Sequence, residues 1–285
     1  MASMTDLKKR RASVSSTGQI TKAMKLVSTV KLQKTRVQAE HSKPYFGFLY
    51  DTVTSIIASS PDVSSPYLTP GEGGKTAVVA ITSNRGLAGG YNNNIVKLIT
   101  QWEIPKEDLV VYAVGTKGRD GLTHRGYNVV ADMSELINAP MFLDALYLCQ
   151  QLLDAFKNGE IKEIYLAYTS FKNTMVQEPK LLKLLPLQFD QEEIAKKPSF
   201  SPMNYEPGEE EVLEQIIPQY MAGILHGAFV EAIASENAAR MQAMDNATKN
   251  AEEMMEDLEL EYNRARQSSI TQELTEIIAG ANAIS

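Results

Sequence analysis

Cysteine occurs once in the 285 residues, at Cys149. A single thiol excludes an internal disulfide, a four-thiolate zinc site and a dithiol redox switch. Histidine is almost as scarce. His41, His124 and His226 stand in unlike surroundings and suggest neither a metal cluster nor a Ser-His-Asp or Cys-His arrangement. No apolar run approaches the roughly 20 residues that span a bilayer. The basic run Lys8–Arg11 leads into no apolar segment, so it does not read as a secretory signal. Nor does either charge dominate: 28 Lys and Arg face 35 Asp and Glu, a net −7 that argues against general nucleic-acid binding. What remains is the composition of a protein that can bury a core, 44% hydrophobic and 22% charged.

The mild overall balance conceals a division. Residues 1–43 carry ten basic side chains against Asp6 and Glu40, a net +8. Residues 206–285 carry sixteen acids against Arg240, Lys249, Arg264 and Arg266, a net −12. The segment between them is close to neutral, at −3. Such asymmetry between ends describes either two solvated helix faces or two elements that face each other.

Three regions follow along the chain. Thr5 to Ser59 reads as helix, broken only by Gly18 and Pro44, and Pro44 is expected to kink or end it. An untidy apolar stripe runs through Leu7, Val14, Ile20, Met24 and Val27, with Ala23, Val30 and Val37 beside it. Residues 60–74 are rich in Pro, Ser and Gly and read as a loop. A mixed α/β region then places strands at Lys75–Ser83, Leu109–Gly115, Ile161–Phe171 and Leu181–Phe189. Helices lie between them near 92–102, 116–126 and 140–157. This alternation predicts a parallel or mixed sheet covered on its faces. After a polar, Pro-rich loop over 190–208, a single helical pattern runs from Glu209 to Ile284. Its apolar spacing is clearest at Leu213, Ile217, Tyr220, Ile224 and Ala228, and again at Ala251, Met254, Leu258, Tyr262 and Ala265.

A helix of that length spans about 114 Å at 1.5 Å per residue. A compact chain of this size has a radius of gyration of only about 19 Å. The terminal helices therefore cannot both wrap one globule, and their simplest arrangement is an antiparallel pair. Pairing sets the basic first segment beside Asp245–Ser285, which carries nine acids and three bases. Each exposed pair contributes at most about 1 kcal/mol, so charge selects orientation more than it stabilises. After Glu276 the sequence IIAGANAIS carries no charged side chain, which suits either a frayed tail or a tip enclosed by another protein's apolar ring.

Catalytic motifs mostly dissolve on inspection. Gly74-Lys75-Thr76 ends like a P-loop, but Thr69 stands where the first glycine belongs, and the triplet precedes a strand rather than following one. Asn84–Gly90 does follow a strand and precede a helix, where nucleotide phosphates often sit. It is not GxGxxG, however, and no acid ends the next strand, so a tight glycine turn is its default reading. Cys149 lies in the apolar helical stretch ALYLCQQLL and reads as a core thiol.

Several separated blocks resemble one family. Ala12-Ser13-Val14 with Ile20–Val27 (ITKAMKLV) resembles the first helix of the ATP synthase gamma subunit. Ser83–Leu87 with Gly89-Gly90 resembles its central motif, and Ser235–Met241 with Met244–Thr248 its last helix. Tyr262–Gln267 (YNRARQ), followed by Ile270–Leu274 (ITQEL), is the most diagnostic block. The blocks lie at the start, middle and end of the chain, in the family's order.

The resemblance implies an antiparallel coiled coil of residues 1–59 and 209–285 around a Rossmann-like α/β domain at 75–190. It implies a bacterial-type central rotor shaft of a proton-translocating ATP synthase. The shaft would turn inside three alpha and three beta subunits and stand with epsilon on the membrane c-ring. It would lie peripheral to the cytoplasmic face of the plasma membrane. ATP chemistry would belong to the beta subunits, leaving this chain without catalytic residues, cofactor, metal or nucleic acid. By the same likeness Met24 and Lys25 face an acidic loop of the catalytic subunits, and Lys8–Arg11 and Lys22 suit that surround. Arg266 and Gln267 meet a catalytic-subunit loop, where Arg can pair bidentately with a carboxylate. Gln272 and the uncharged tip match the upper bearing, and Tyr205 and Glu206 the foot on the membrane ring. Two departures stand out. The lone Cys149 excludes the regulatory dithiol of plant chloroplast relatives, and Ala88 occupies a position where the family often has Cys. The rival readings are a non-rotary coiled-coil scaffold, a basic helix on nucleic acid, and a nucleotide-binding protein using Asn84–Gly90. The facing acidic segment opposes the second of these.

Overall fold

The computed structural model describes residues 4–59, 65–69, 71, 73–187, 206 and 208–284. Its elements run α1 Met4–Ser59, β1 Lys75–Ile81, α2 Tyr91–Thr100, β2 Leu109–Val114, α3 Thr116–Thr123 and β3 Asn128–Asp132. They continue with α4 Phe142–Lys157, β4 Ile161–Phe171, β5 Gln177–Leu185 and α5 Glu209–Ile284. By contacts they form two compact units, one of Met1–Ser28 with Arg240–Ser285, the other of Thr29–Ala239.

In the second unit the sheet order is β3-β2-β1-β4-β5. The first four strands are parallel, and β5 returns antiparallel on β4. Every residue of β2, and all of β1 but Lys75, is buried. That explains the continuous apolar runs, since a parallel strand covered on both faces needs no alternation. The two faces still divide by period two. Val78, Ala80, Val111 and Ala113 pack on Ile95, Val96 and Ile99 of α2 and Leu122 of α3. Ala77, Val79, Ile81, Val110, Tyr112 and Val114 pack on the other side against α4, Leu213–Ala232 of α5, and Val53 and Ile56 of α1. Three layers result, right for strands alternating with helices.

Two strand expectations need correction. β3 was not expected at all. It is a five-residue edge strand, half exposed in alternation, and too short and polar to stand out. The last strand begins at Gln177 rather than Leu181, because an edge strand accommodates Pro179, Lys180 and Lys183. Gln188 and Phe189, the end of the expected strand, lie outside the described residues.

Neither helix-internal proline acts as a stop. α1 continues through Pro44 to Ser59, its later turns held by buried Leu49, Val53 and Ile56, so packing outweighs one missing amide. α5 likewise runs through Pro218. By length and composition α5 is also, among the described residues, the one helix able to cross a membrane. Its apolar window has a mean hydropathy of 1.2, and 56% of it is buried inside the protein, as a core helix requires.

The first unit is an antiparallel pair of helices. Along α1 the inward positions are Leu7, Arg11, Val14, Gly18, Thr21, Lys25 and Ser28, buried or half-buried at alternating spacings of four and three. Along α5 they are Met241, Met244, Thr248, Ala251, Met255, Leu258, Tyr262 and Ala265 at the same spacing. This is a coiled-coil heptad seam. It overlaps the stripe that hydrophobicity picks out at Leu7, Val14, Ala251, Leu258, Tyr262 and Ala265, and departs from it elsewhere. Ile20, Val27, Val30 and Val37 are 57%, 57%, 65% and 54% exposed, and Met254 is exposed where Met255 turns inward. The antiparallel register follows from three contacts. Thr21 and Thr248 share a hydroxyl hydrogen bond of 2.8 Å. Lys25 Nζ donates to Asp245 Oδ1 at 2.5 Å. A Cβ built on Gly18 would lie 3.4 Å from that of Ala251.

Candidate functional site

The loop after β1 is built from its own polar groups. The Ser83 amide donates to Asn92 Oδ1 at 2.9 Å, and Asn84 Nδ2 donates to the Ser134 carbonyl at 2.7 Å. Asn84 Oδ1 accepts from the Thr116 amide at 2.9 Å, and Thr82 Oγ1 accepts from the Gly118 amide at 2.8 Å. Those two amides open α3, and amides at such a place are what a phosphate would use. Here both are held by side chains that follow β1, so these two amides at the start of α3 are not open to a phosphate. The turn depends on backbone freedom. Gly89 has φ +55°, and Leu87, without that freedom, sits at +62° with its side chain 64% exposed. Beyond the loop, Arg119 pairs with Asp132 at 2.6 Å and Asp120 at 2.8 Å. The Asp132 carboxyl is held below the usual range chiefly by the hydroxyl of Ser134.

Cys149 is a core thiol, as its setting in the sequence suggests. It is fully buried, its Sγ donates to the Pro218 carbonyl at 3.4 Å, and burial pushes its pKa up to about 12. A thiol so placed is not a nucleophile at neutral pH.

The residues expected to meet partners lie on the paired helices. Met24 is half-buried, one position from the seam. Lys25 does not project its charge freely: it pairs with Asp245, whose other oxygen lies 3.0 Å from Lys249. Asp245 is accordingly held below the ordinary carboxylate range, first by Lys25 and then by Lys249. Arg266 and Gln267 are exposed, just past the seam residue Ala265. Gln272 is exposed and donates to Glu276 Oε1 at 3.0 Å. Arg266, Gln267 and Gln272 thus share about two turns of one helix. Asp245 and its partner Lys25 stand about 30 Å lower at 1.5 Å per residue, so the expected contacts form separate levels rather than one site. Glu206 is exposed in a bend, and Tyr205 lies outside the described residues. Hydrophobicity found Leu7 and Val14 of the seam on α1 and Ala251, Leu258, Tyr262 and Ala265 on α5, but passed over Gly18, Thr21, Lys25 and Ser28, whose four-three spacing was present in the sequence as a signal.

Past the seam, every described position of α5 from Ile270 to Asn282 is exposed. Ile270, Leu274, Ile277 and Ile278, at 49%, 55%, 67% and 59% exposure, fall at helical spacing along one stripe.

Together these features define a class: an α/β protein of Rossmann type whose chain ends pair as an antiparallel coiled coil and present bare helix surface. A family model described as ATP synthase matches residues 3–284. The chain is 58% identical to the ATP synthase gamma chain of Lachnoclostridium phytofermentans over the whole of both chains. It is 39% identical to the sodium ion specific ATP synthase gamma chain of Acetobacterium woodii, covering 98% of each. The central stalk and c-ring structure of the Tetrahymena thermophila mitochondrial ATP synthase is similar at 25% identity. Its TM-score is 0.62, over 80% of this chain and 99% of that one. The Euglena gracilis mitochondrial rotor shares the fold at 19% identity, with a TM-score of 0.69 over 94% and 98%. The chain belongs to the ATP synthase gamma-chain family.

Proposed function

We propose that the chain is the central rotor stalk of an ion-translocating ATP synthase. It couples rotation of the membrane ring to ATP synthesis and hydrolysis on the catalytic subunits. The observation that carries this reading is the bare end of α5, an apolar stripe from Ile270 to Ile278 that stands exposed among the described residues. Free helix ends in water are ordinarily polar, so such a stripe suits enclosure by a surrounding collar. Three alpha and three beta subunits would form that collar. Epsilon and the c-ring would meet the part of the chain that includes Tyr205 and Glu206. On this reading residues 1–59 and 209–285 work as the shaft, and residues 75–190 supply the α/β domain. The complex is membrane-associated, and this subunit sits peripherally on the cytoplasmic face of a bacterial membrane.

The chain's own contribution is mechanical rather than chemical. Its buried thiol is inert, and the polar side chains of Thr82 and Asn84 after β1 are engaged with the start of α3. A shaft with unlike sides touches three catalytic subunits differently, so its angle decides which conformation each one favours. Such an effector shifts an equilibrium only by its differential contacts with the two states. Met24 and Lys25 supply contacts at one level, and Arg266, Gln267 and Gln272 at another. Arg266 is suited to a bidentate pair with a carboxylate of a catalytic subunit.

A tagged chain purified under mild conditions from its own cell membranes is expected to bring alpha, beta and epsilon subunits with it. Recovery as a lone soluble protein would overturn the reading and favour the scaffold alternative.

A further inference from the structure

Three consecutive layers of the seam are matched in kind rather than in hydrophobicity. Gly18 faces Ala251, small against small. Thr21 faces Thr248, hydroxyl against hydroxyl. Lys25 reaches Asp245, the residue beside seam position Met244, cation against anion. Above them lie Val14, Arg11 and Leu7 on one helix and Met255, Leu258 and Tyr262 on the other, with the Arg11 guanidinium 6.0 Å from the centre of the Tyr262 ring. Leu, Val and Met exchange for one another at little cost, so the purely aliphatic layers among these discriminate poorly between registers.

A shift of one heptad keeps the seam facing inward but destroys the matching. Gly18 would then meet Leu258 or Met244, and Thr21 would meet Met255 or Met241. After such a shift both threonines could donate to carbonyls of their own helices, Gly18 for Thr21 and Met244 for Thr248, whereas now one of the two hydroxyls spends its hydrogen on the other. The inter-helix bond would be lost, however, and the close approach at Gly18 would be filled by a long side chain. Lys25 could reach Glu252 in one direction of shift, so the ion pair alone does not fix the register. All three layers together do.

We infer that Gly18–Ala251, Thr21–Thr248 and Lys25–Asp245 form a register lock, which holds the two helices at one axial setting at the expense of a stronger apolar seam. Polar residues at single seam positions are a known way to specify pairing while giving up stability. The lock does not depend on which partners the chain has.

Cysteine pairs in the full-length chain test this. The built Cβ separation at Gly18 and Ala251 is 3.4 Å, close to the ~3.8 Å typical of a disulfide. Gly18→Cys with Ala251→Cys reports the native register, and Gly18→Cys with Leu258→Cys reports a one-heptad shift. Buried Cys149 does not compete for the oxidant. With the native seam, mild oxidation is expected to link only the first pair. Adding Thr21→Val, Thr248→Val, Lys25→Met and Asp245→Leu should raise the melting temperature and let the shifted pair link to at least a tenth of the native yield. If the altered seam still links only the native pair, the packing of the helices elsewhere sets the register and the inference is wrong. Should the fourfold variant fail to fold, Thr21→Val with Thr248→Val alone is scored the same way.

Discussion

Gly115 shows how much a single residue can constrain this fold. It holds φ +114°, and an added Cβ would stand 2.2 Å from the Thr82 carbonyl oxygen. The chain leaves β2 here and begins α3 directly against β1, so the collision is with backbone and cannot relax by a rotamer change. Gly115→Ala is expected to destabilise the protein by at least ~3 kcal/mol, seen as a fall in melting temperature. Gly47→Ala is the control. That glycine is exposed in α1 with nothing within 4 Å of a new Cβ, and alanine there should gain up to about 1 kcal/mol of helix propensity. Equal effects at the two sites would remove the role given to Gly115. Cys149 supplies a second residue-scale expectation. With its pKa pushed up to about 12 in a buried site, it should resist maleimide at pH 7 in the folded protein and react fully once unfolded. Labelling of the native protein at the rate of a free thiol would contradict that placement. The core role of this thiol was legible in the sequence, because ALYLCQQLL is apolar on the face that α4 buries. The constraint on Gly115 was not, because it arises from a strand that approaches from elsewhere in the chain.

Among the elements, those the sequence announced best were the strands buried on both faces. The apolar runs of β1, β2 and β4 reflect cover from two sides, and such cover leaves a composition signal. The short edge strand β3 and the early start of β5 were hidden for the opposite reason, since exposed edges tolerate Asn128, Asp132, Pro179 and Lys180. The seam was hidden more deeply. A search for apolar periodicity settles on Ile20, Val27, Val30 and Val37, which the structure turns outward, and passes over Thr21 and Ser28, which it buries. Close helix approach through small and hydroxyl residues leaves no hydrophobic trace in one strand of a pair; it emerges only when both are read together. Gly18 measures that approach. Gly18→Ala places a methyl at 3.4 Å from Ala251, an ordinary contact, and should stabilise the coil by up to about 1 kcal/mol. Gly18→Leu has no such room and should lower the thermal midpoint by several degrees. A Leu variant as stable as the Ala variant would mean that the helices are free to separate at this level.

At the scale of the molecule, the division of charge between the ends is realised only in part as discrete bonds. Lys25 with Asp245 is one ion pair that joins α1 and α5, and both partners are partly open to solvent. Its attraction favours antiparallel pairing and weakens with salt. The family and its general architecture were legible because the diagnostic blocks are distributed from Ala12 to Leu274. The partner-facing roles of single residues were legible only through that likeness: Arg266 and Gln267 are exposed helix residues like many others. Their test belongs to the assembled enzyme. Arg266→Ala should reduce ATP hydrolysis by the complex about tenfold, equivalent to ~1.4 kcal/mol of coupling, while nucleotide binding persists. Turnover equal to that of the parent would withdraw Arg266 from the coupling role.

The hairpin between β4 and β5 has a consequence for how the protein comes into being. Because β5 returns beside β4 without a crossover, the face of the sheet that carries α4 receives no further helix from the strands themselves. Leu213–Ala232 of α5 and Val53 and Ile56 of α1 fill that place. The sheet thus waits for helices from both ends of the chain. On the ribosome every strand is made before α5, so the part of this face that Leu213–Ala232 covers stays open until synthesis has passed Ala232. Folding of this layer is committed late, by contacts of long sequence separation, and the nascent chain is most in need of protection through the last third of its translation.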